Sequence, residues 1–215
     1  GWTVDYVKLT DAENSGSFTG EIARAIERHK VSALCVTEAG EWRVKAMLDS
    51  WPDRFDIPVE IRPDDRFLCS HAEFESWTKD RKQLRMEFFY RDMRRKSGLM
   101  MNGDTPEGGQ WNFDAENRKP AKRDLAMPTP LHFAPNAVTQ DIIQMVERRF
   151  AGNMGETTKF GFAVTREDAL RQQKHFLDHA LPNFGDYQDA MLTGEPFLWH
   201  SILSPYINSG LLDPL

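Results

Sequence analysis

The order of the first segments limits this chain more than any other feature. "WTVDYVKL" (2–9) alternates apolar and polar positions and is rich in β-branched and aromatic residues, which predicts a strand. "SFTGEIARAIERHK" (17–30) reads as a helix with Ile22, Ala25 and Ile26 on its inner face and Ser17 or Thr19 as its cap. "SALCVTE" (32–38) is a short apolar strand, "GEWRVKAMLDSW" (40–51) a helix and "IPVEIRPD" (57–64) a third strand. Strands separated by helices need crossover connections, and crossovers give a parallel α/β sheet.

From Ser70 the pattern turns helical, with "HAEFESWTKD" and then "LRMEFFYRDMRRKSG". Residues 99–137 break the rhythm: they are dense in Gly, Pro, Asn and Asp and keep no period. A loop of that length is a linker or a functional segment. Beyond it the chain reads all-helical, through "VTQDIIQMVERRF", "REDALRQQKHFLDHAL" capped by Thr165 with Asp168 three residues on, and "NFGDYQDAMLTG". The expected architecture is therefore α/β followed by all-α: an α/β part over 1–98, a loop over 99–137 and a helical part over 138–215.

Composition narrows the classes. With 40% hydrophobic and 28% charged residues, the chain is globular and not disordered. No apolar run approaches the roughly 20 residues that span a bilayer, so no membrane partner is expected. Cys35 and Cys69 stand far apart with no Cys-x-x-Cys pair, which points away from a disulfide framework and toward a reducing cytoplasm. The net charge of −6 argues against a wholly basic nucleic-acid coat but not against local basic patches. The chain opens on Gly1, directly at a strand-like run, as an excerpt of a longer protein would.

Three groups of residues carry possible chemistry. His175 and His179 share a helical face at metal-ligand spacing, but the Glu of a His-Glu-x-x-His pattern is missing, and two solvated histidines are the plainer reading. Between Arg81 and Lys96 lie seven basic and two acidic residues, with Arg91, Arg94 and Arg95 on one helical face. Arg118, Lys119, Lys122 and Arg123 follow in the loop. Guanidinium forks suit phosphate, and they suit surface carboxylates equally well. Phe88, Phe89 and Tyr90 read as core. Finally, "HSILSPYINSGLL" (200–212) reads as a helix whose opening turn offers two hydroxyls and free N–H groups ahead of a proline. Such a turn can hold a phosphate, or Ser201 can be a plain cap.

The stretch "EFFYRDMRRKSGLMMNGDTPEGGQWNFDAENRKP" (87–120) resembles the deoxyribodipyrimidine photolyase-related group, the bacterial iron–sulfur members of the photolyase and cryptochrome superfamily that include (6-4) photolyases. "SFTGEIARAI", "CVTEAGEWRV" and "GFAVTREDA" are similar as well, so the resemblance runs end to end. The closing turn resembles the superfamily's flavin motif, Thr/Ser-Ser-x-Leu-Ser-Pro-Tyr-x-x-x-Gly, with His200 where many relatives have Thr. The resemblance implies a Rossmann-like antenna domain, an interdomain loop and the start of a helical FAD-binding domain. It implies FAD contacts from His200, Ser201, Ile202, Leu203 and Ser204, with Tyr187 near a flavin-touching tyrosine. It further implies damaged DNA as partner, gripped by Arg94, Arg95, Arg118 and Lys122. A monomer, an iron–sulfur cluster and a ribityllumazine antenna are implied for the full-length protein. No catalytic residue and no metal ligand is expected within these residues, and 1–215 alone are expected not to repair DNA. Two alternatives remain: a blue-light-sensing cryptochrome without repair activity, and a non-photoactive α/β nucleotide-binding module.

Overall fold

A computed structural model describes residues 2–121 and 125–214. Contacts divide the chain into two compact units, 1–84 and 85–215.

The first unit holds a two-stranded parallel sheet. Strand β1 (Leu34–Thr37) pairs with β2 (Val59–Arg62) from Leu34↔Val59 to Thr37↔Arg62. Helix α1 (Phe18–His29) precedes the sheet, and α2 (Trp42–Asp49) and α3 (Trp51–Arg54) make the crossover. Ser17 caps α1: its hydroxyl accepts the Gly20 N–H at 3.0 Å. Trp51 is 3% exposed, and its indole N–H donates to Thr19 Oγ1 at 3.0 Å, which ties α3 to α1. Helix α4 (His71–Thr78) opens on a capping box, with Ser70 and Glu73 each accepting the other's backbone N–H.

The strand expected over 2–9 is absent. That segment is irregular, and Trp2, Val4, Tyr6 and Leu9 are exposed. Strand preference is a preference for a neighbouring strand and a pleated face to pack on, and no described residue offers this segment either. Asp5 holds it instead, through ion pairs to Arg28 and, at 2.8 Å, to His29 at the end of α1.

The second unit begins with α5 (Met86–Ser97), which Gly98 ends at φ +71. Arg94 of α5 is bonded to the loop that follows, through the Leu99 and Met100 carbonyls. The loop carries one small hairpin, β3 (Met101–Asn102) with β4 (Thr105–Pro106). Helix α6 (Ala137–Arg149) is capped by Asn136, and α7 (Arg166–His175) by Thr165, whose hydroxyl accepts the Asp168 N–H as expected. A π-helical turn (Phe176–Ala180) joins α7 to α8 (Leu181–Tyr187). The helix expected over 183–194 therefore starts earlier and stops at Tyr187; beyond it the chain turns back through a bridge between Leu192 and Glu195.

Helix α9 (Ser204–Asn208) is only five residues long. The helix expected from His200 starts later because Leu203, not Ser201, occupies the N-cap. It ends where the Leu211 and Leu212 N–H groups return to the Tyr206 carbonyl at 2.8 and 3.1 Å, around Gly210 at φ +74. Two apolar clusters form the interior of this unit. One gathers Ala163, Ala169, Tyr206 and Leu212 with Phe133, Ile202 and Leu203 against them. The other gathers Ala180, Leu198 and Trp199 with Phe176, Phe184 and Tyr187. Among the described residues no helix is long and apolar enough to cross a membrane.

Candidate cofactor turn and basic loop

The turn at 200–204 is the link between the two clusters. Trp199 lies in one, while Ile202 and Leu203 pack against the other. Two contacts fix its start. The Tyr187 ring stacks on Trp199 at 4.3 Å and 21°. His200 Nε2 lies 3.0 Å from the Gln188 carbonyl, with its ring edge-on to Phe184 at 5.2 Å. A carbonyl only accepts, so Nε2 carries the proton and Nδ1 stays available. Tyr187 and His200 thus come together at the entrance to the turn.

Ser201 and Ser204 are exposed, and neither hydroxyl has a hydrogen-bond partner among the described residues. Nor does the N–H of Ser201, Ile202, Leu203 or Ser204 donate to any described residue, whereas His200 N–H and Tyr206 N–H, on either side, are both bonded. A run of unpaired backbone donors flanked by two hydroxyls suits an anion with several oxygens. The five-residue α9 adds little dipole, so these donors, and not the helix, would carry the grip. The helix terminus expected to hold an anion is too short to do so, and the free N–H donors of 201–204 remain. His200 also borders a cleft of about 440 Å³ with Ala190, Phe197 and Leu198.

The arginines divide. Arg94 is 7% exposed, and its guanidinium donates to the carbonyl of Leu99 at 3.3 Å, to that of Met100 and to the Tyr90 hydroxyl at 3.3 Å. Its donors are occupied inside the fold, so the expectation that it faces DNA gives way to a role in holding the loop. Arg95 is half-exposed and paired with Asp92 at 3.0 Å. Arg118 is 73% exposed, with Nε 3.2 Å from Asp189. Lys122 lies outside the described residues.

Trp111, which no local pattern singled out, stands against the whole arginine face: its ring centroid is 5.5, 5.5 and 4.8 Å from the guanidinium carbons of Arg91, Arg94 and Arg95. Further along the loop, Lys119 donates its N–H to the Asp186 carbonyl at 3.0 Å and its ammonium to the Asp186 carboxylate at 2.7 Å. That carboxylate bond raises the Lys119 pKa above its usual value. Phe88 and Tyr90, expected in the core, are half-exposed, and Phe88 lies under the Arg85 and Arg91 guanidinium groups.

His175 and His179 do face each other, at 4.8 Å between rings, but His175 Nε2 is held by the Thr129 carbonyl at 2.9 Å. No group of three or more His, Cys, Asp or Glu is placed to hold a metal ion among the described residues.

The model of the deoxyribodipyrimidine photo-lyase-related protein family matches residues 1–162, and the chain belongs to that family. A (6-4) photolyase of Agrobacterium fabrum (strain C58 / ATCC 33970) is 55% identical over 215 residues, which is 100% of this chain and 42% of that protein. The chain thus spans less than half the length of that relative.

Proposed function

We propose that this chain is the part of a flavin-dependent DNA photolyase that grips the FAD diphosphate and contributes to binding damaged DNA. The likeness to the Agrobacterium (6-4) photolyase through the whole chain carries this reading, and (6-4) photoproducts of pyrimidines are the substrate it favours. The residues fit the diphosphate part of the cofactor. Ser201 and Ser204 would donate their hydroxyls, and the N–H groups of residues 201–204 would supply the remaining bonds to an anion. His200, held on the Gln188 carbonyl, fixes the height of the turn, and the Tyr187–Trp199 stack fixes its entrance. When bound, FAD supplies light-driven electron donation that is reversed once the lesion bonds have rearranged.

Arg95, Arg118 and Lys122 would meet DNA phosphates, the sequence-independent source of most affinity. A lesion must leave the stack to reach a buried cofactor, and damaged pairs flip at the least cost. In this reading the full-length protein acts as a cytoplasmic monomer. The iron–sulfur cluster and the ribityllumazine antenna implied by the resemblance belong to the full-length protein.

Blue-light repair of an oligonucleotide carrying one (6-4) photoproduct, assayed with the full-length protein against a dark control, tests the proposal. Light-dependent restoration of the pyrimidines, with a flavin absorption band, is the expected result. A flavin band without repair would favour light sensing. The absence of a flavin band would leave only the nucleotide-binding module.

A further inference from the structure

We propose that Trp111 is a positioning residue for DNA binding: clamped by the arginines of α5, it sets the loop so that Arg118 meets a phosphate. The inference rests on the DNA reading above. Three guanidinium groups converge on this one indole at 5.5, 5.5 and 4.8 Å, and each is drawn to the negative face of the ring. Arg94 adds a second hold, because it also binds the Leu99 and Met100 carbonyls where the loop leaves the helix. Arg91 is fixed by Glu87 and by the rings of Phe88 and Trp111, with its Nε buried and unbonded.

The far side of the loop is stapled to the end of α8. The Asn117 carbonyl accepts the Asp189 N–H at 3.2 Å, and Lys119 grips Asp186 through both backbone and side chain. Arg118 lies between these two staples with its side chain 73% exposed. Its backbone is therefore held on either side, while its guanidinium shares one edge with the Asp189 carboxylate at 3.2 Å and leaves the rest to solvent, so a phosphate meets it by sharing or displacing that surface ion pair. Holding the loop in place sets where Arg118 stands against the DNA backbone, which decides whether its phosphate contact forms, and it also lowers the entropy cost of binding. The consequence is unusual for an uncharged side chain. Removing Trp111 takes away no charge, yet it should remove a phosphate contact.

The test is DNA binding by the full-length protein across a salt series, with Trp111→Ala, Trp111→Phe and Arg118→Ala. Each lost phosphate contact flattens the plot of log K against log salt by about 0.9. Trp111→Ala should flatten it as much as Arg118→Ala does, and Trp111→Phe, which keeps a ring for the arginines, should restore the parent slope. General destabilisation by Trp111→Ala would lower the active fraction without changing that slope. A flattened slope in Arg118→Ala with the parent slope in Trp111→Ala would overturn the inference alone. The parent slope in Arg118→Ala itself would overturn the DNA reading of Arg118, and the inference with it.

Discussion

The two units hold themselves together differently. In the first, Leu48 and Trp51 are the buried apolar residues among those described, and order comes from caps, ion pairs and one indole bond between helices. In the second there are two apolar clusters and two buried side chains that accept backbone N–H groups: the Tyr206 hydroxyl accepts the Ala163 N–H at 3.2 Å within one cluster, and Gln172 accepts the Leu131 N–H at 2.8 Å. A two-stranded sheet buries little, since parallel strands ordinarily need cover on both faces. The lesson is that the α/β unit depends on a few local ties, whereas the helical unit can support an exposed, donor-rich turn because its interior is closed on either side.

The contrast can be broken most sharply at Trp51. Trp51→Ala should cost about 3–5 kcal/mol and, in amide exchange resolved along the chain, should strip protection from α1, β1 and β2 while leaving 85–215 unchanged. Retained protection in β1 and β2 would show that the sheet stands without its tryptophan. Gln172→Leu leaves the half-buried Leu131 N–H without its acceptor, an expected loss of about 1–3 kcal/mol in urea unfolding. A neutral outcome would mean that this bond does not pin the second unit. Tyr206→Phe keeps the 1%-exposed ring and removes only its hydroxyl. It should cost about 1 kcal/mol, with faster exchange at the Ala163 amide as its signature.

The smallest effect concerns Asp5 and pH. Hydrogen bonds from Arg28 first and His29 second hold its carboxyl below the ordinary value of 3.8. A lowered native pKa stabilises above the unfolded value and ceases to do so as pH falls through the native one. Proteolysis of the 2–9 segment should therefore quicken as pH falls below about 4. Asp5→Asn should be cleaved at the faster rate at every pH, and equal cleavage of the two proteins would remove Asp5 as the tie.

Much of the local structure was legible. Ser17, Thr165 with Asp168 and the Ser70 segment follow rules that reach no further than three or four residues. The strand at 2–9 was not legible as irregular chain, because alternation records a willingness to pair and not the presence of a neighbour. The arginine face of α5 is legible as a face, but what it faces is Trp111, a loop residue that no helical period reaches. Tyr187 is expected beside the flavin only through the family resemblance, while its stack on Trp199 and the bond from His200 to Gln188 depend on how α8 folds back. Periodicity names faces, and only tertiary structure supplies what lies against them.

The central claim is that the 201–204 turn grips an FAD diphosphate, and flavin affinity of the full-length protein tests it most directly. Equilibrium dialysis should compare the parent with Ser201→Ala/Ser204→Ala, with the Tyr206 core as an internal check that the fold is intact. Each hydrogen bond to a charged group is worth about 1.5–3 kcal/mol, so the double variant should lose at least about two orders of magnitude in FAD affinity. It should lose far less for riboflavin, which lacks the phosphates. Parental FAD affinity in the double variant, or an equal loss for both flavins, would contradict the account.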